Sequence, residues 1–253
     1  TRVRSSAASD VYKRQEPLAA IVVEPIAGNM GLVLPEAGFL EGLFDRARAR
    51  GALVIFDEVI TWLRVGVQGA QGRLGFTPDL TTIGKIFGGG YPLAAFGGRE
   101  DVMAALAPAG GAFAGGTLAG NPFSIAIGHR VLDRLEGMPH LYGEMRAKAA
   151  RLATGIERTL RTLDCPFAVV RYESIVDFKF RRGPAGSNYD DARAADAAAY
   201  AAFYHAMRDR GILLAPSQNE VMFLSTEHDD GDIDETLRAI DASLGELRER
   251  SII

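Results

Sequence analysis

Three residues of this sequence combine a reactive side chain with a suggestive setting. Lys85 stands between an apolar run and the triplet Gly88-Gly89-Gly90, in LTTIGKIFGGG. In the chain interior a lysine there loses part of its hydration, which lowers its pKa and makes the amine a nucleophile. Facing solvent at a strand end, it is an ordinary surface charge. The lysine precedes the glycines and no GK[ST] follows, so the triplet is no nucleotide phosphate loop and suits a turn or a close backbone approach. Asp57 closes the apolar run ALVIF. An anion there can pair with a protonated ring nitrogen, though it suits a helix cap or a Mg²⁺ ligand as well. Thr117, in FAGGTLAGNP, offers a hydroxyl and backbone donors beside glycines just before a helix start, which suits a phosphate contact or a plain loop threonine. Amine, anion and phosphate donors are together what pyridoxal phosphate asks of a protein. The single cysteine, Cys165, precedes Pro166 with no histidine nearby and reads as a core or loop thiol rather than a nucleophile.

These residues need elements to position them. LAAIVV, from Leu18, is a continuous apolar run that suits a strand buried on both faces, and it ends at Glu24. After Pro35, the residues Phe39, Leu40, Leu43, Phe44 and Ala47 recur at helical spacing, with Gly51 placed to stop the helix. ALVIF then leads into Asp57 and Glu58, and a third run around LTTIG delivers Lys85. Strand, helix, strand is the pattern of a parallel α/β sheet, whose ligand crevice lies beyond the carboxyl ends of the strands, where Glu24, Asp57 and Lys85 all fall. Asn121 and Pro122 form a cap and first residue for a helix through FSIAIGHRVLDRLEG that continues, with a kink, through the 140s and 150s. An alanine-rich helix from Ala192 to Arg210 is ended by Gly211, and ILLA and VMFLS have strand character. The last helix carries a capping box from Asp232 to Glu235. The sheet-like first part (16–145) and the mixed α+β second part (146–253) predict a large and a small domain.

The 253 residues are 47% apolar and 24% charged with a net charge of −4, the make-up of a globular protein without a basic stripe for nucleic acid. No apolar run is long enough for a membrane span, and one cysteine allows no internal disulfide, so a cytoplasmic protein with a small-molecule partner is expected, with no metal site. The first fifteen residues have neither apolar periodicity nor the layout of a signal peptide. SSAASDVYKRQ resembles translated sequencing-adapter sequence, so residues 1–15 are expected to be a non-native tail on a truncated gene.

VEPIAGNMG, IFDEV, PDLTTIGK and AGGTLAGNP, in this order and spacing, resemble the class III aminotransferases, which are fold-type I pyridoxal-phosphate enzymes; the likeness runs from about Leu18 to the end. The resemblance implies that Lys85 is the Schiff-base lysine, Asp57 the pyridinium partner, Val59 a contact to the cofactor ring and Thr117 the phosphate ligand usually donated across a homodimer. Within the family, Asn29 in GNMG, the stretch GAQGRLGFTPDLTTIGKIFGGG and the segment LLAPSQNEVMFLSTEHDDGDIDETL resemble the glutamate-1-semialdehyde aminomutase branch, with Glu220 as an active-site glutamate that disfavours a second substrate carboxylate. ITWLRVGVQ, GGGYP and APSQNE depart from that pattern. The implied reaction converts glutamate-1-semialdehyde to 5-aminolevulinate, with the pyridoxamine form of the cofactor in the cycle. The alternatives are an aminotransferase of β- or ω-amino acids that needs a 2-oxo acid acceptor, and a non-catalytic partial domain. A Rossmann dehydrogenase is disfavoured, since no GxGxxG follows an early strand. The family carries nearly half its chain before the VEP motif, including a phosphate loop and the aromatic stacked on the cofactor. The fold is therefore expected to be incomplete, with exposed sheet edge and core, and catalysis weak or absent.

Overall fold

The computed structural model describes residues 17–165, 167–183 and 186–253, so the expected tail lies outside the described residues. The chain divides into two compact units. Among the described residues the first comprises 17–25 together with Glu36–Asp133, and the second comprises Ile26–Pro35 together with Arg134–Ile253.

In the first unit β1 (Ala20–Val23), β2 (Leu53–Asp57) and β3 (Leu80–Ile83) run parallel, and β4 (Ala95–Gly98) closes the sheet antiparallel to β3, in the order β1-β2-β3-β4. Helix α1 (Phe39–Arg48) packs Leu40 and Ala47 onto Ala52, Val54 and Phe56. Phe44 meets Phe56 edge-on at 5.6 Å and stacks on Phe76 at 5.2 Å. The expectation of strands buried on both faces is corrected: Val54 and Phe56 are buried while Leu53 and Ile55 are only partly so, and Val22 in β1 is 63% exposed. Alternation follows from cover on one face, which α1 supplies, because successive side chains of a strand point to opposite sides. Gly51, at φ +65°, turns the chain out of α1 into β2. Two short helices, α2 (Gly69–Leu74) and α3 (Glu100–Met103), lie in the connections.

Helix α4 (Pro122–Glu136) starts as expected, with Asn121 Oδ1 accepting the amides of Phe123 (2.9 Å) and Ser124 (3.2 Å). It does not continue with a kink. A break at 137–139 separates it from α5 (His140–Thr162), because Pro139 has no amide to sustain the helical ladder and sits at the new N-cap. The unit boundary, between Asp133 and Arg134, precedes the expected 145/146, a point that lies inside α5, whose Leu141, Tyr142 and Met145 are buried.

The second unit holds an antiparallel sheet, β5 (Phe167–Tyr172), β6 (Ile175–Arg182) and β7 (Met222–Phe223) in that order, with α5, α7 (Ala197–Asp209) and α8 (Asp230–Glu249) around a core of Leu152, Ile156, Phe178, Phe203, Met207, Ile240 and Leu244. The alanine-rich stretch forms two helices, α6 (Tyr189–Arg193) and α7, since Asp196 accepts the amides of Ala198 and Ala199 and so opens a new helix. ILLA is not a strand, and VMFLS shortens to two strand residues. The cap of the final helix lies three residues before the expected one, at Asp229. Asp229 Oδ1 accepts the Asp232 amide at 2.9 Å and Asp232 Oδ2 accepts the Asp229 amide at 2.8 Å, a reciprocal pair that extends the helix by a turn. Cys165 packs against this core, where burial pushes its thiol up. Among the described residues no helix is long and apolar enough to cross a membrane.

Asp177 on β6 is 5% exposed and lies 3.5 Å from Lys179, and its Oδ2 accepts the Leu32 amide at 2.9 Å. Burial raises its carboxyl to about 6, against the opposing pull of Lys179 and the Leu32 amide. A carboxyl with a raised folded-state pKa holds its proton more tightly folded than unfolded. Its contribution is therefore complete below the unfolded value and lost as the pH rises through the folded one. Urea titrations should show the wild type losing stability, relative to Asp177→Asn, between pH 4 and pH 7 by on the order of 2–3 kcal/mol. A constant difference across that range would contradict the assignment.

Candidate functional site

The first unit gathers three of the expected residues by strand register. Asp57 is the last residue of β2 and pairs with Thr82 of β3; three residues further on, Lys85 opens a single 3-10 turn, Lys85–Gly88. Asp57 Oδ1 accepts the Val59 amide at 3.1 Å and the Thr82 hydroxyl at 3.4 Å, while its Oδ2 accepts nothing among the described residues. Val59 borders the residue before Lys85: a methyl on Gly84 would stand 3.6 Å from Val59 Cγ1. Asp57, Val59 and Lys85 therefore lie at the carboxyl end of the parallel strands, the place where ligands bind in such sheets. Glu24 follows β1 at the same end.

Lys85 has φ +49°, a left-handed conformation that costs a side-chain-bearing residue on the order of 1–3 kcal/mol and persists only where its surroundings impose it. Here the turn is closed by Phe87 N–H to Gly84 O (3.1 Å), Gly89 N–H to Ile86 O (3.0 Å) and Tyr91 N–H to Gly88 O (2.9 Å). Helix α4 packs on the segment that follows, where Gly128 leaves room for Leu93 and Phe87, and Gly89 lies against Ile127 and Val131. Trp62 meets Phe87 edge-on at 5.5 Å. The expected desolvation of Lys85 is corrected: the residue is exposed and its amine has no hydrogen bond or ion pair among the described residues. Its neighbours Gly84, Gly88, Gly89 and Gly90 have no side chains to cover it.

Glu58 is a residue that the sequence reading passed over. It is fully buried, its Oε2 accepts the Thr61 hydroxyl (2.8 Å) and the Ala70 amide (2.6 Å), and its Oε1 accepts the Gln71 amide (2.9 Å). It thereby closes the loop after Asp57 onto the start of α2, and a methyl on Gly69 would collide with its carboxylate. Its own amide donates to Thr82 O at 2.9 Å, which locks the backbone between Asp57 and Val59 to β3. The signal was present in the adjacent carboxylates of IFDEV, but which acidic residue turns inward depends on the strand's facing.

Thr117 is exposed in the turn before α4, and no contact joins it directly to Asp57 or Lys85 among the described residues. Asn29 and Glu220 belong to the second unit, where both are exposed and where the Gly31 amide donates to Asn219 O at 2.7 Å, bringing their loops together. Replacement of Glu58 by alanine would strand the Ala70 and Gln71 amides. The expected loss is about 3 kcal/mol in chemical denaturation, against less than 1 kcal/mol for Glu41→Ala on exposed α1.

With this geometry in view, the comparison with known proteins is consistent. The family model for aminotransferase class-III matches residues 3–243. Glutamate-1-semialdehyde 2,1-aminomutase 2 of Geobacillus kaustophilus is 45% identical over 233 residues, which is 92% of this chain and 54% of that protein. Among solved structures, an omega-transaminase from Sphaerobacter thermophilus superposes with a TM-score of 0.83 at 31% identity, covering 95% of this chain and 55% of that one. A glutamate-1-semialdehyde-aminomutase from Pseudomonas aeruginosa PAO1, solved in complex with PMP, gives a TM-score of 0.81 at 29% identity, covering 90% and 52%. The chain thus spans about half the length of the relatives it matches, and its α/β fold is the corresponding part of the transaminase fold. A family match over nearly the whole chain, on a sheet whose strand ends gather Asp57, Val59 and Lys85, makes this chain a member of the class III aminotransferase family.

Proposed function

We propose that this chain is the carboxy-terminal part of a pyridoxal-phosphate-dependent aminomutase that converts glutamate-1-semialdehyde to 5-aminolevulinate, a step towards tetrapyrroles. The observation that supports the reading is the placement at the carboxyl end of β2 and β3 of Asp57, whose Oδ2 accepts nothing among the described residues, and of Lys85, conformationally strained and without a hydrogen bond or ion pair among the described residues. The donor set fits the cofactor: Asp57 Oδ2 is free to accept from a protonated pyridine nitrogen, Lys85 Nζ is free to react, and the Thr117 hydroxyl is exposed to reach a phosphate. When bound, pyridoxal phosphate supplies an electron sink for the carbon that loses a proton, and its pyridoxamine form carries the amino group.

The protein's part is positioning and proton transfer. Asp57 would keep the ring nitrogen of a bound cofactor protonated, its orientation favoured by the Val59 N–H (3.1 Å) and Thr82 hydroxyl (3.4 Å) that both donate to Oδ1. Val59 offers an apolar face to the ring. Lys85 Nζ takes a proton from the substrate carbon in one half of the cycle and returns one in the other, with the turn at 85–88 fixing where its stem begins. Thr117 Oγ1 donates to phosphate, in the family's manner across a homodimer. Asn29 and Glu220 are given a part in substrate recognition by the family resemblance, with the Glu220 carboxylate disfavouring a second substrate carboxylate. Identity of 45% to an aminomutase favours this substrate. The fold match to an omega-transaminase favours the second reading, a two-substrate aminotransferase, which would need a 2-oxo acid acceptor where the aminomutase needs none. The protein is read as cytoplasmic. The chain alone is expected to be a weak catalyst, since it holds about half of the fold.

Addition of pyridoxal phosphate, followed by borohydride and peptide mass mapping, should place a reduced cofactor label on Lys85 and leave Lys85→Ala unlabelled. Asp57→Ala should weaken cofactor affinity tenfold or more. A folded chain that takes no label at Lys85 would sink the proposal and leave a non-catalytic partial domain.

A further inference from the structure

Strand β6 is amphipathic in an unusual sense. Val176, Phe178 and Phe180 turn into the helical core, so Asp177, Lys179 and Arg181 share the opposite face. Charged residues on the outer face of a small sheet are ordinarily solvated, yet Asp177 is 5% exposed and the Lys179 side chain 15%. The cover comes from Ile26–Pro35, a segment distant in sequence that belongs to this unit and contains no ionisable side chain. Its Leu32 amide donates to Asp177 Oδ2 at 2.9 Å. Gly31, at φ +79°, lies so close that a methyl group there would occupy the space of Lys179 Nζ, with Asp177 Oδ2 2.5 Å away.

The same pair reaches a second segment. Residues 215–220 form no ladder, and their carbonyls are held one by one from a helix, a strand and the segment Ile26–Pro35. Tyr200 Oη on α7 donates to Ala215 O at 2.6 Å, Lys179 Nζ on β6 donates to Gln218 O, and the Gly31 amide donates to Asn219 O at 2.7 Å. Glu220 comes next, with its amide on Ser217 O at 3.1 Å.

We propose that Asp177 and Lys179 are positioning residues that hold the segments Ile26–Pro35 and 215–220 against each other and so set where Asn29 and Glu220 stand. Two apolar side chains would fill the same space without the desolvation cost of buried charges, but they have no direction. A carboxylate aimed at one loop's amide and an ammonium aimed at the other loop's carbonyl impose a single arrangement on two strandless segments. That this arrangement serves substrate recognition rests on the function proposed above; the positioning itself does not.

The experiment is amide hydrogen exchange on the chain as it exists. In the double variant Asp177→Leu/Lys179→Met, exchange at Gly31 and Leu32 should accelerate at least tenfold while Ile240 and Leu244 in α8 keep their protection. Lys179→Arg, which retains a donor for Gln218 O, should restore protection at Gly31 relative to Lys179→Met. Unchanged exchange at Gly31 and Leu32, or acceleration of loop and α8 amides by the same factor, would overturn the positioning role. Lys179→Met alone, which removes the ammonium and keeps the stem, is read at Gly31 by the same criteria if the double variant does not fold. In cofactor-loaded protein the double variant should weaken binding of the amino substrate about tenfold, read from the cofactor's absorbance, and unchanged binding would overturn the link to recognition. Absence of cofactor label at Lys85 would sink the proposed function while the exchange result still decides the positioning.

Discussion

The parallel register of β2 on β3 is the constraint on which the first unit turns. Pairing Asp57 with Thr82 puts one strand's last residue and the other strand's exit side by side. A slip by one residue would reverse every side chain on one strand and separate Asp57 from the Lys85 turn. The register is secured from both sides of the pair. Phe56 packs with Phe44 and Phe76 beneath α1, and the Glu58 amide continues the ladder onto Thr82. Beyond the ladder, the buried Glu58 carboxylate absorbs amides that a loop would otherwise leave unsatisfied. The reactive candidates therefore stand on a strand end whose orientation is settled by groups that take no part in chemistry.

The second unit solves a related problem by different means. Its two exposed candidates, Asn29 and Glu220, sit on segments without regular structure, and such segments need partners for their backbone groups. Side chains rather than strands provide them, from Tyr200, Lys179 and Asp177. Buried ionic partners are costly to hold, and burial raises Asp177 towards 6 accordingly. Glycine at position 31 is required by the same arrangement, for both its left-handed φ and its missing side chain. Both units thus pair a glycine-rich loop with one inward carboxylate, Glu58 in the first and Asp177 in the second.

Much of this was legible in the sequence. Hydrophobic periodicity located β1, α1, β2 and β3, and the Asn121-Pro122 cap marked the start of α4, because these signals are local: the spacing of apolar residues and a side chain two or three positions from the amides it caps. The placement of Asp57 and Lys85 at strand ends follows from the same local runs. Where local signals compete, the reading went astray. Three acidic residues from Asp229 to Asp232 can all cap a helix, and only the reciprocal bonds between the first and the last decide between them. Pro139 separates two helices that apolar spacing alone runs together, because it has no amide to sustain the ladder.

What the sequence by itself determined is therefore the order of the first unit's strands and the helix between them, the family, and which residues stand as candidates for cofactor chemistry, since each depends on residue type and short spacing. What only the tertiary structure decided is which charges go inside. Nothing local distinguishes Glu58 from Asp57, or Asp177 and Lys179 from any outward-facing pair on a strand, because burial of a charge depends on a segment brought over it from far away in the chain. For Asp177 the covering segment reaches it through Leu32, 145 residues earlier, and such cover comes from long-range packing that no short window of sequence contains.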